Sequence, residues 1–213
     1  MPDENYSTGK MTNIAVFASG RGSNFLAIAK AVKSGSLKRI NLALLVCDNP
    51  NAPVILKAKK LKVKVALVNP DLYPQRDDFE ARVIRHLKDN KISLIVLAGF
   101  MRMLSASFVA AYKNRIINIH PSLLPAFKGS SGIKDAFDYG VKVTGVTVHF
   151  VDEKMDHGPV ILQKEVKVEP KDTLSSLEER IHKIEHKLYQ QAIKLVAGGK
   201  FKFQGRKAVF KKG

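Results

Sequence analysis

The chain has 213 residues, of which 45% are hydrophobic, and it carries a formal net charge of +17. This length allows one large domain or two small ones with a full hydrophobic core. The charge raises the question of nucleic-acid binding, but the lysines are spread along the chain rather than grouped in one block. A basic solvated surface explains this pattern better, so we expect no nucleic-acid partner.

The sequence gives no sign of a membrane or secretory segment. Its apolar runs stop well short of the roughly 20 residues that a membrane helix needs, and the first ten residues lack the apolar stretch of a signal peptide. The single cysteine, Cys47, has no disulfide partner within the chain, which fits a reducing compartment. We therefore expect a cytoplasmic protein without a membrane partner, with a flexible N-terminal extension at residues 1–12.

The first half of the chain alternates between apolar runs and segments with helical spacing. Buried strands are predicted at residues 13–19, 41–47, 63–68, 93–98 and 116–120. Helices are predicted between them, at residues 25–32, 52–61, 76–90 and 105–112. Alternation of this kind indicates a parallel sheet with helices on both faces.

The pattern changes after Pro125. Residues 142–151 and 160–168 are typical of two strands, either antiparallel neighbours or joined by a wide loop. A long amphipathic helix is predicted at residues 173–196, and residues 201–210 are suited to a small edge hairpin. The predicted fold is of the α/β class, a single domain over residues 13–213. Its sheet is Rossmann-like, mostly parallel and twisted, with helices on both faces.

Two polar side chains, Asn118 and His120, lie at the end of the fifth predicted strand, just before Pro121. Strand alternation places them on the same face, and proline forces the chain to leave the sheet there. Open parallel sheets carry their chemistry at the carboxyl ends of strands. A structural role for a buried Asn and His is the alternative, but this paired placement favours a site.

A glycine-rich turn, residues 20–24, follows the first strand and precedes a helix. Either Ser23 or Asn24 is expected to cap that helix, whose first amides favour an anion. The third glycine of a dinucleotide-binding motif is replaced by Phe25, so a phosphate monoester fits better than a dinucleotide.

An acidic turn contains Asp152, Glu153 and Asp156. Either the turn is a solvated loop, or it brings a carboxylate beside His120 and keeps the imidazole charged for acid catalysis. Asn118 would then help to hold an oxyanion. The histidines at positions 149 and 157 lack the spacing of a metal motif, so no metal is expected. No Ser or Cys lies in a nucleophile elbow, which favours direct group transfer.

Three segments carry a resemblance to a known family. They are residues 117–125, INIHPSLLP, residues 143–151, VTGVTVHFV, and residues 155–161, MDHGPVI. Together they resemble the folate-dependent formyltransferase family, and the likeness extends from about residue 13 to residue 199. The joint spacing of Asn, His and Asp is the specific part of this likeness, and the glycine turn only supports it.

The resemblance implies transfer of a formyl group from 10-formyltetrahydrofolate, a consumed cosubstrate, to the amine of glycinamide ribonucleotide. It implies that the catalytic residues are Asn118, His120 and Asp156. The implied contacts to the ribonucleotide are made by Gly22, Ser23, Asn24 and Glu185. The implied contacts to the folate are made by Arg76, Met101, Arg102, Met103, Leu104, Asn118, Asp152 and Asp156. Where many relatives carry a histidine, this chain has the residues GSSG at positions 129–132. The expected partners are these two small molecules, and the protein is expected to be a monomer or a homodimer.

Two alternative functions stay open at this point. Methionyl-tRNA formyltransferases share the Asn, His and Asp pattern but are longer and carry a C-terminal RNA-binding barrel, whereas only a short basic tail follows Gly199 here. A basic nucleic-acid-binding domain without catalysis is the second alternative, and it would bind with a steep dependence on salt.

Overall fold

A computed structural model describes residues 11–210. Its main sheet has seven strands in the order β3-β2-β1-β4-β5-β6-β7. The strands are β1 (Thr12–Phe17), β2 (Ile40–Cys47), β3 (Lys64–Leu67), β4 (Leu94–Leu97), β5 (Ile116–His120), β6 (Val143–Phe150) and β7 (Val160–Lys167). The helices are α1 (Ser23–Lys33), α2 (Pro53–Lys60), α3 (Arg76–Asp89), α4 (Ala106–Ala111), α5 (Gly132–Tyr139) and α6 (Leu174–Ala197).

The first five strands are parallel, and the last two are antiparallel to their neighbours. The prediction of a mostly parallel α/β sheet is therefore confirmed. The open alternative for residues 142–151 and 160–168 is resolved as antiparallel pairing of β6 with β7. The expected C-terminal hairpin is also present, as β8 (Phe201–Gln204) and β9 (Lys207–Phe210).

Helices cover both faces of the sheet, because alternate side chains of each central strand enter different cores. In β1, Ile14 and Val16 pack with α1, α2 and α6, whereas Ala15 and Phe17 pack with α3 and α4. Cys47 is fully buried, as the sequence predicts. Within residues 11–210, no helix is both long enough and apolar enough to cross a bilayer.

The long helix α6 is tied directly to the sheet. The hydroxyl of the fully buried Tyr189 donates to the carbonyl oxygens of Leu97 and Ile117, at 2.6 and 3.1 Å. At its start, Thr173 forms a capping box with Ser176. The helix is therefore fixed beside the carboxyl end of β4 and the neighbouring part of β5.

The sheet order reverses between β1 and β4, which is where ligands bind in open α/β sheets. The loops that follow these two strands are joined there. The Ser19 N–H donates to the carbonyl of Gly99 at 3.0 Å, and the Met101 N–H donates to Ser19 Oγ at 3.0 Å. The predicted extension, residues 1–12, lies outside the described residues except for Met11 and Thr12, and strand β1 already begins at Thr12.

Candidate active site

A cavity of about 710 Å³ runs along the carboxyl ends of β1, β4 and β5. It brings together almost all of the residues that the sequence singles out. Those that line it are Gly22, Ser23, Asn24, Met101, Arg102, Met103, Leu104, Asn118, His120, Asp152, Asp156 and Glu185. Arg76 is the one predicted site residue that does not line it.

The carboxylate of Asp156, a lining residue of the cavity, contacts three side chains. Its Oδ2 is 3.4 Å from Nδ1 of His120, and its Oδ1 accepts from Nδ2 of Asn118 at 3.4 Å. The third contact is from Nε2 of His149, at 3.6 Å from Oδ1. Asp156 is therefore folded onto the end of β5, whereas Glu153 of the same turn is exposed to solvent.

Strand register and the conformation of the turn produce this convergence. Strand β6 is antiparallel to β5 and pairs His149 directly opposite Asn118. Asp156 has a φ of 46°, a left-handed conformation that turns its side chain back toward the sheet. The Gly129 N–H then donates to Asp156 Oδ2 at 2.9 Å and fixes the carboxylate from the other side.

Asp156 is held as an anion by its neighbours. Burial raises the pKa of Asp156, but the contact from His149, the N–H of Gly129 and the charge of His120 together hold that pKa below its usual value. Both ring nitrogens of His120 face acceptors, because Nε2 is 2.7 Å from the carbonyl oxygen of Phe127. A doubly protonated imidazole satisfies both contacts, so the geometry suits an ion pair of His120 with Asp156.

The glycine turn forms one end of the cavity, but its details differ from the prediction. Neither Ser23 nor Asn24 caps α1: the N-cap residue is Gly22, with φ 68° and no side-chain cap. The capping prediction is wrong because Gly22 closes the turn against α2. A Cβ at Gly22 would lie 2.3 Å from Cγ2 of Val54, so only glycine fits there.

Asn24 instead reaches across to α6. Its Nδ2 donates to Oε2 of Glu185 at 3.1 Å, and Nδ1 of His182 lies 3.0 Å from the same oxygen. The hydrogen bond to Glu185 raises the pKa of His182 above its usual value, although burial acts in the opposite direction. Asn24 Oδ1 is buried without a hydrogen-bond partner among the described residues, which leaves an acceptor at this end of the cavity.

The other end of the cavity is formed by the acidic turn and by residues 99–104, which follow β4. Its apolar side chains are exposed: Met101 is 70% accessible, Met103 is 49% and Met155 is 50%. Arg102 lies over the ring of Phe79, with Cζ 5.4 Å from the centroid. An apolar ligand surface with a polar edge would cover the methionines here.

Arg76 supports this end from outside the cavity. Its guanidinium donates to the carbonyl oxygen of Met103 at 2.5 Å and to Oε1 of Glu80 at 3.3 Å. Glu80 is buried and also accepts from the backbone N–H of Ser105 at 2.8 Å and from its hydroxyl. A direct contact from Arg76 to the folate stays a prediction. What the structure shows is that Arg76 fixes the backbone of the loop after β4 at Met103.

His149 and His182 are residues of the cavity that the sequence reasoning did not assign to the site. His149 was considered only as a metal ligand, and its position opposite Asn118 depends on the β5–β6 register. The three-residue spacing of His182 and Glu185 on one helix face was the available signal for the second. Within residues 11–210, no group of three or more His, Cys, Asp or Glu side chains is arranged to hold a metal ion.

Comparison with known sequences identifies a family model and several relatives that match most of the chain. Residues 12–193 match the model of a family described as formyl transferase. The chain is 47% identical to the phosphoribosylglycinamide formyltransferase of Bacillus subtilis over 188 residues, which are 88% of this chain and 96% of that protein. It is 38% identical to the trifunctional purine biosynthetic protein adenosine-3 of Homo sapiens over 89% of this chain, but that match covers only 19% of the human protein.

Solved structures show the same fold over most of the chain. The glycinamide ribonucleotide transformylase 1 of Symbiobacterium toebii is similar with a TM-score of 0.92 and 37% identity, over 99% of both chains. The glycinamide ribonucleotide transformylase 1 of Geobacillus kaustophilus is similar with a TM-score of 0.85 and 48% identity, over 88% of this chain and 99% of that chain. The family match over residues 12–193 and these identities lead to one conclusion: the chain belongs to the formyl transferase family.

Proposed function

We propose that the protein transfers the formyl group of 10-formyltetrahydrofolate to the amine of glycinamide ribonucleotide, a step of purine biosynthesis. The observation that carries this proposal is the meeting of Asn118 and His120 with the Asp156 carboxylate inside one cavity. An amide, an imidazolium and an anion at the end of a strand are the groups that a carbonyl transfer through an oxyanion requires.

The two substrates would enter from opposite ends of the cavity. The ribonucleotide phosphate would bind at the glycine turn, on the backbone amides of Ser23 and Asn24 at the start of α1. Glu185 would accept a hydrogen bond from the ribose. The folate would lie against residues 101–104 and the acidic turn, where Asp152 lines the cavity. The amine and the formyl carbon would then meet beside His120.

The reaction would proceed by direct attack. The amine nitrogen forms a bond to the formyl carbon, and the carbonyl oxygen becomes an oxyanion that Asn118 and protonated His120 stabilise. The bond from that carbon to N10 of the folate then breaks. One proton leaves the amine and one arrives at N10, carried through water beside Asp156. No covalent enzyme intermediate is needed.

For substrate to bind, the hydrogen bonds that Asn118 and His120 make within the protein would have to be replaced by hydrogen bonds to the substrate. Nε2 of His120 faces the Phe127 carbonyl, and Nδ2 of Asn118 faces both Asp156 and His149. The carbonyl of Phe127 belongs to the loop between β5 and α5, which also lines the cavity at residues 129–131. A small movement of this loop would free an N–H of His120 for the oxyanion.

The setting of the enzyme is part of the same proposal. We expect it in the cytoplasm, acting on its two small-molecule substrates as a monomer or homodimer, without a nucleic-acid or membrane partner. The formyltetrahydrofolate would be a cosubstrate, and no metal would be required. Residues 13–213 would form one formyltransferase domain.

A spectrophotometric assay of folate product tests the proposal with two acceptors. With glycinamide ribonucleotide as acceptor, product should form at a rate that saturates in both substrates. With formyl-accepting methionyl-tRNA, no product above background is expected. Transfer to the tRNA alone would overturn the proposal in favour of the tRNA enzyme. Absence of transfer to either acceptor, with salt-sensitive binding to RNA, would favour a nucleic-acid-binding domain.

A further inference from the structure

We propose that the C-terminal hairpin, strands β8 and β9 with their connecting turn, holds the acidic turn in its cavity-facing conformation through Arg206. This inference rests on the proposed function, because it assigns a positioning residue to the same site. The hairpin lies beyond the match to the family model, which ends at residue 193.

The hairpin packs under the base of the acidic turn. The ring of Phe150, the last residue of β6, lies 5.2 Å from the ring centroids of both Phe201 and Phe203. The turn leaves the sheet directly after Phe150, and the chain re-enters the sheet at Val160, two residues after Gly158. A Cβ at Gly158 would lie 1.9 Å from the Phe150 carbonyl oxygen, so the two ends of the turn are closed tightly on each other. The hairpin therefore packs against Phe150, the residue from which the acidic turn begins.

Arg206, between the two hairpin strands, contacts the acidic turn itself. Its Nη1 lies 2.5 Å from Nε2 of His157, and its Nη2 donates to the backbone carbonyl oxygen of His157 at 2.5 Å. The other ring nitrogen of His157, Nδ1, is 2.7 Å from Oδ2 of Asp152. One guanidinium thus contacts both the backbone and the ring of a turn residue.

These hydrogen bonds connect the Arg206 guanidinium to the Asp152 carboxylate through the ring of His157. Arginine offers only donors, so Nε2 of His157 accepts from Arg206 and its Nδ1–H donates to the carboxylate of Asp152. Asp152 is a predicted folate contact, and Asp156 lies next to His157. A guanidinium outside the cavity therefore orients one carboxylate that lines the cavity and the backbone beside another.

The contact has consequences for one substrate and not for the other. The ribonucleotide end of the cavity is built by α1 and α6, whereas the hydrogen bonds of Arg206 in residues 11–210 go to His157 of the acidic turn. Loss of the guanidinium should loosen the acidic turn, and therefore weaken binding of the formyl donor while leaving binding of the acceptor unchanged. A purely structural role would instead lower the thermal stability and affect both substrates.

The test uses the full chain with Arg206→Ala, and with Lys202→Ala as the matched control. Lys202 is an exposed cation of the same hairpin, on β8. For Arg206→Ala we expect the KM for 10-formyltetrahydrofolate to rise about three- to tenfold, as for loss of one ordinary hydrogen bond that acts on the site indirectly. The KM for glycinamide ribonucleotide and the melting temperature should stay at the wild-type values. Lys202→Ala should match wild type in all of these.

A second readout does not depend on activity. Amide hydrogen exchange of peptides covering residues 152–158 should be faster in Arg206→Ala than in wild type or Lys202→Ala. Unchanged exchange together with an unchanged donor KM would overturn the inference, and so would an equal rise in both KM values with a lower melting temperature. If wild type transfers no formyl group, the proposed function fails on that result alone, and the exchange data still decide whether Arg206 holds the turn.

Discussion

The two ends of the cavity are built in different ways. The glycine-turn end consists of helices packed on the core, where Glu185 is only 5% exposed and is bonded to Asn24 across two helices. The methionine end consists of two loops, and Met101 is 70% exposed. Each of these loops is held by an arginine outside the cavity, Arg76 on one and Arg206 on the other.

This difference indicates that the two ends of the cavity suit different kinds of ligand. A pre-formed polar end suits a small ligand that carries a fixed charge, because its binding groups are already oriented. A loop-built apolar end suits a larger flat ligand, because methionine side chains adapt to its surface. The proposed catalytic side chains lie between the two ends, and their positions depend on β5 and β6. Substitutions at the three places should therefore have separable effects.

The largest effect is expected from the centre. His120→Ala removes the charged donor to the oxyanion and the partner of Asp156, so we expect kcat to fall about a thousandfold. Both KM values should change little, since neither end of the cavity is altered. His86→Ala, a histidine of α3 outside the cavity, is the control. Turnover of His120→Ala close to wild type would exclude the role of the imidazole.

The next largest effect is expected at the glycine-turn end. Glu185→Gln keeps the size of the side chain but removes the charge that accepts from Asn24 and His182. The KM for glycinamide ribonucleotide should rise about tenfold, the typical effect of losing one charge-assisted hydrogen bond. The KM for the folate should be unchanged. Glu179→Gln, an exposed carboxylate on the same helix, is the matched control, and an equal rise in both KM values would remove the distinction between the ends.

A smaller effect is expected from the loop at the methionine end. Glu80 accepts from Ser105 and Arg76, and Arg76 holds the carbonyl of Met103. Glu80→Gln should raise the KM for 10-formyltetrahydrofolate about threefold, because the loop loses part of its charged support. Steady-state kinetics with Asp77→Asn, an exposed carboxylate of the same helix, gives the comparison. An altered ribonucleotide KM in Glu80→Gln would contradict the assignment of this loop to the folate.

The smallest effect is a pH dependence at the glycine-turn end. The pKa of His182 is raised in the folded protein, so its pairing with Glu185 stabilises the fold fully below the unfolded pKa of about 6.5. That stabilisation is lost as pH rises through the folded pKa. The ring is partly exposed, so the difference in unfolding free energy between wild type and His182→Asn should be only a few tenths of a kcal/mol. Denaturant unfolding should show it shrinking from pH 6 to pH 9, and a growing difference would contradict the sign.

The sheet and its carboxyl edge follow from sequence pattern because apolar runs and helical spacing are local signals. The strands that begin near residues 13, 41 and 93 all lie within one or two residues of their predicted starts. Asn118 and His120 were identifiable because prolines mark the end of their strand. Asp156 was identifiable only through the family resemblance, since nothing local shows where an acidic turn folds.

Contacts between side chains that are far apart in the sequence leave no local pattern from which they could be predicted. His149 meets Asp156 only because of the β5–β6 register, and the sequence analysis made no prediction about pairing between those two strands. Arg76 is a predicted folate contact, and its hydrogen bond to the backbone of the loop, which no sequence pattern signals, is what the structure adds. Arg206 is 49 residues from His157, and no spacing rule joins a tail arginine to a turn histidine.

A crystal structure of the protein with bound glycinamide ribonucleotide tests the division of the cavity most directly. The phosphate should lie on the backbone amides of Ser23 and Asn24, the ribose should contact Glu185, and the amine should point toward His120 and Asp156. The space beside Met101 and Met103 should remain free for the folate. A ribonucleotide bound among these methionines, or outside the cavity, would contradict the account.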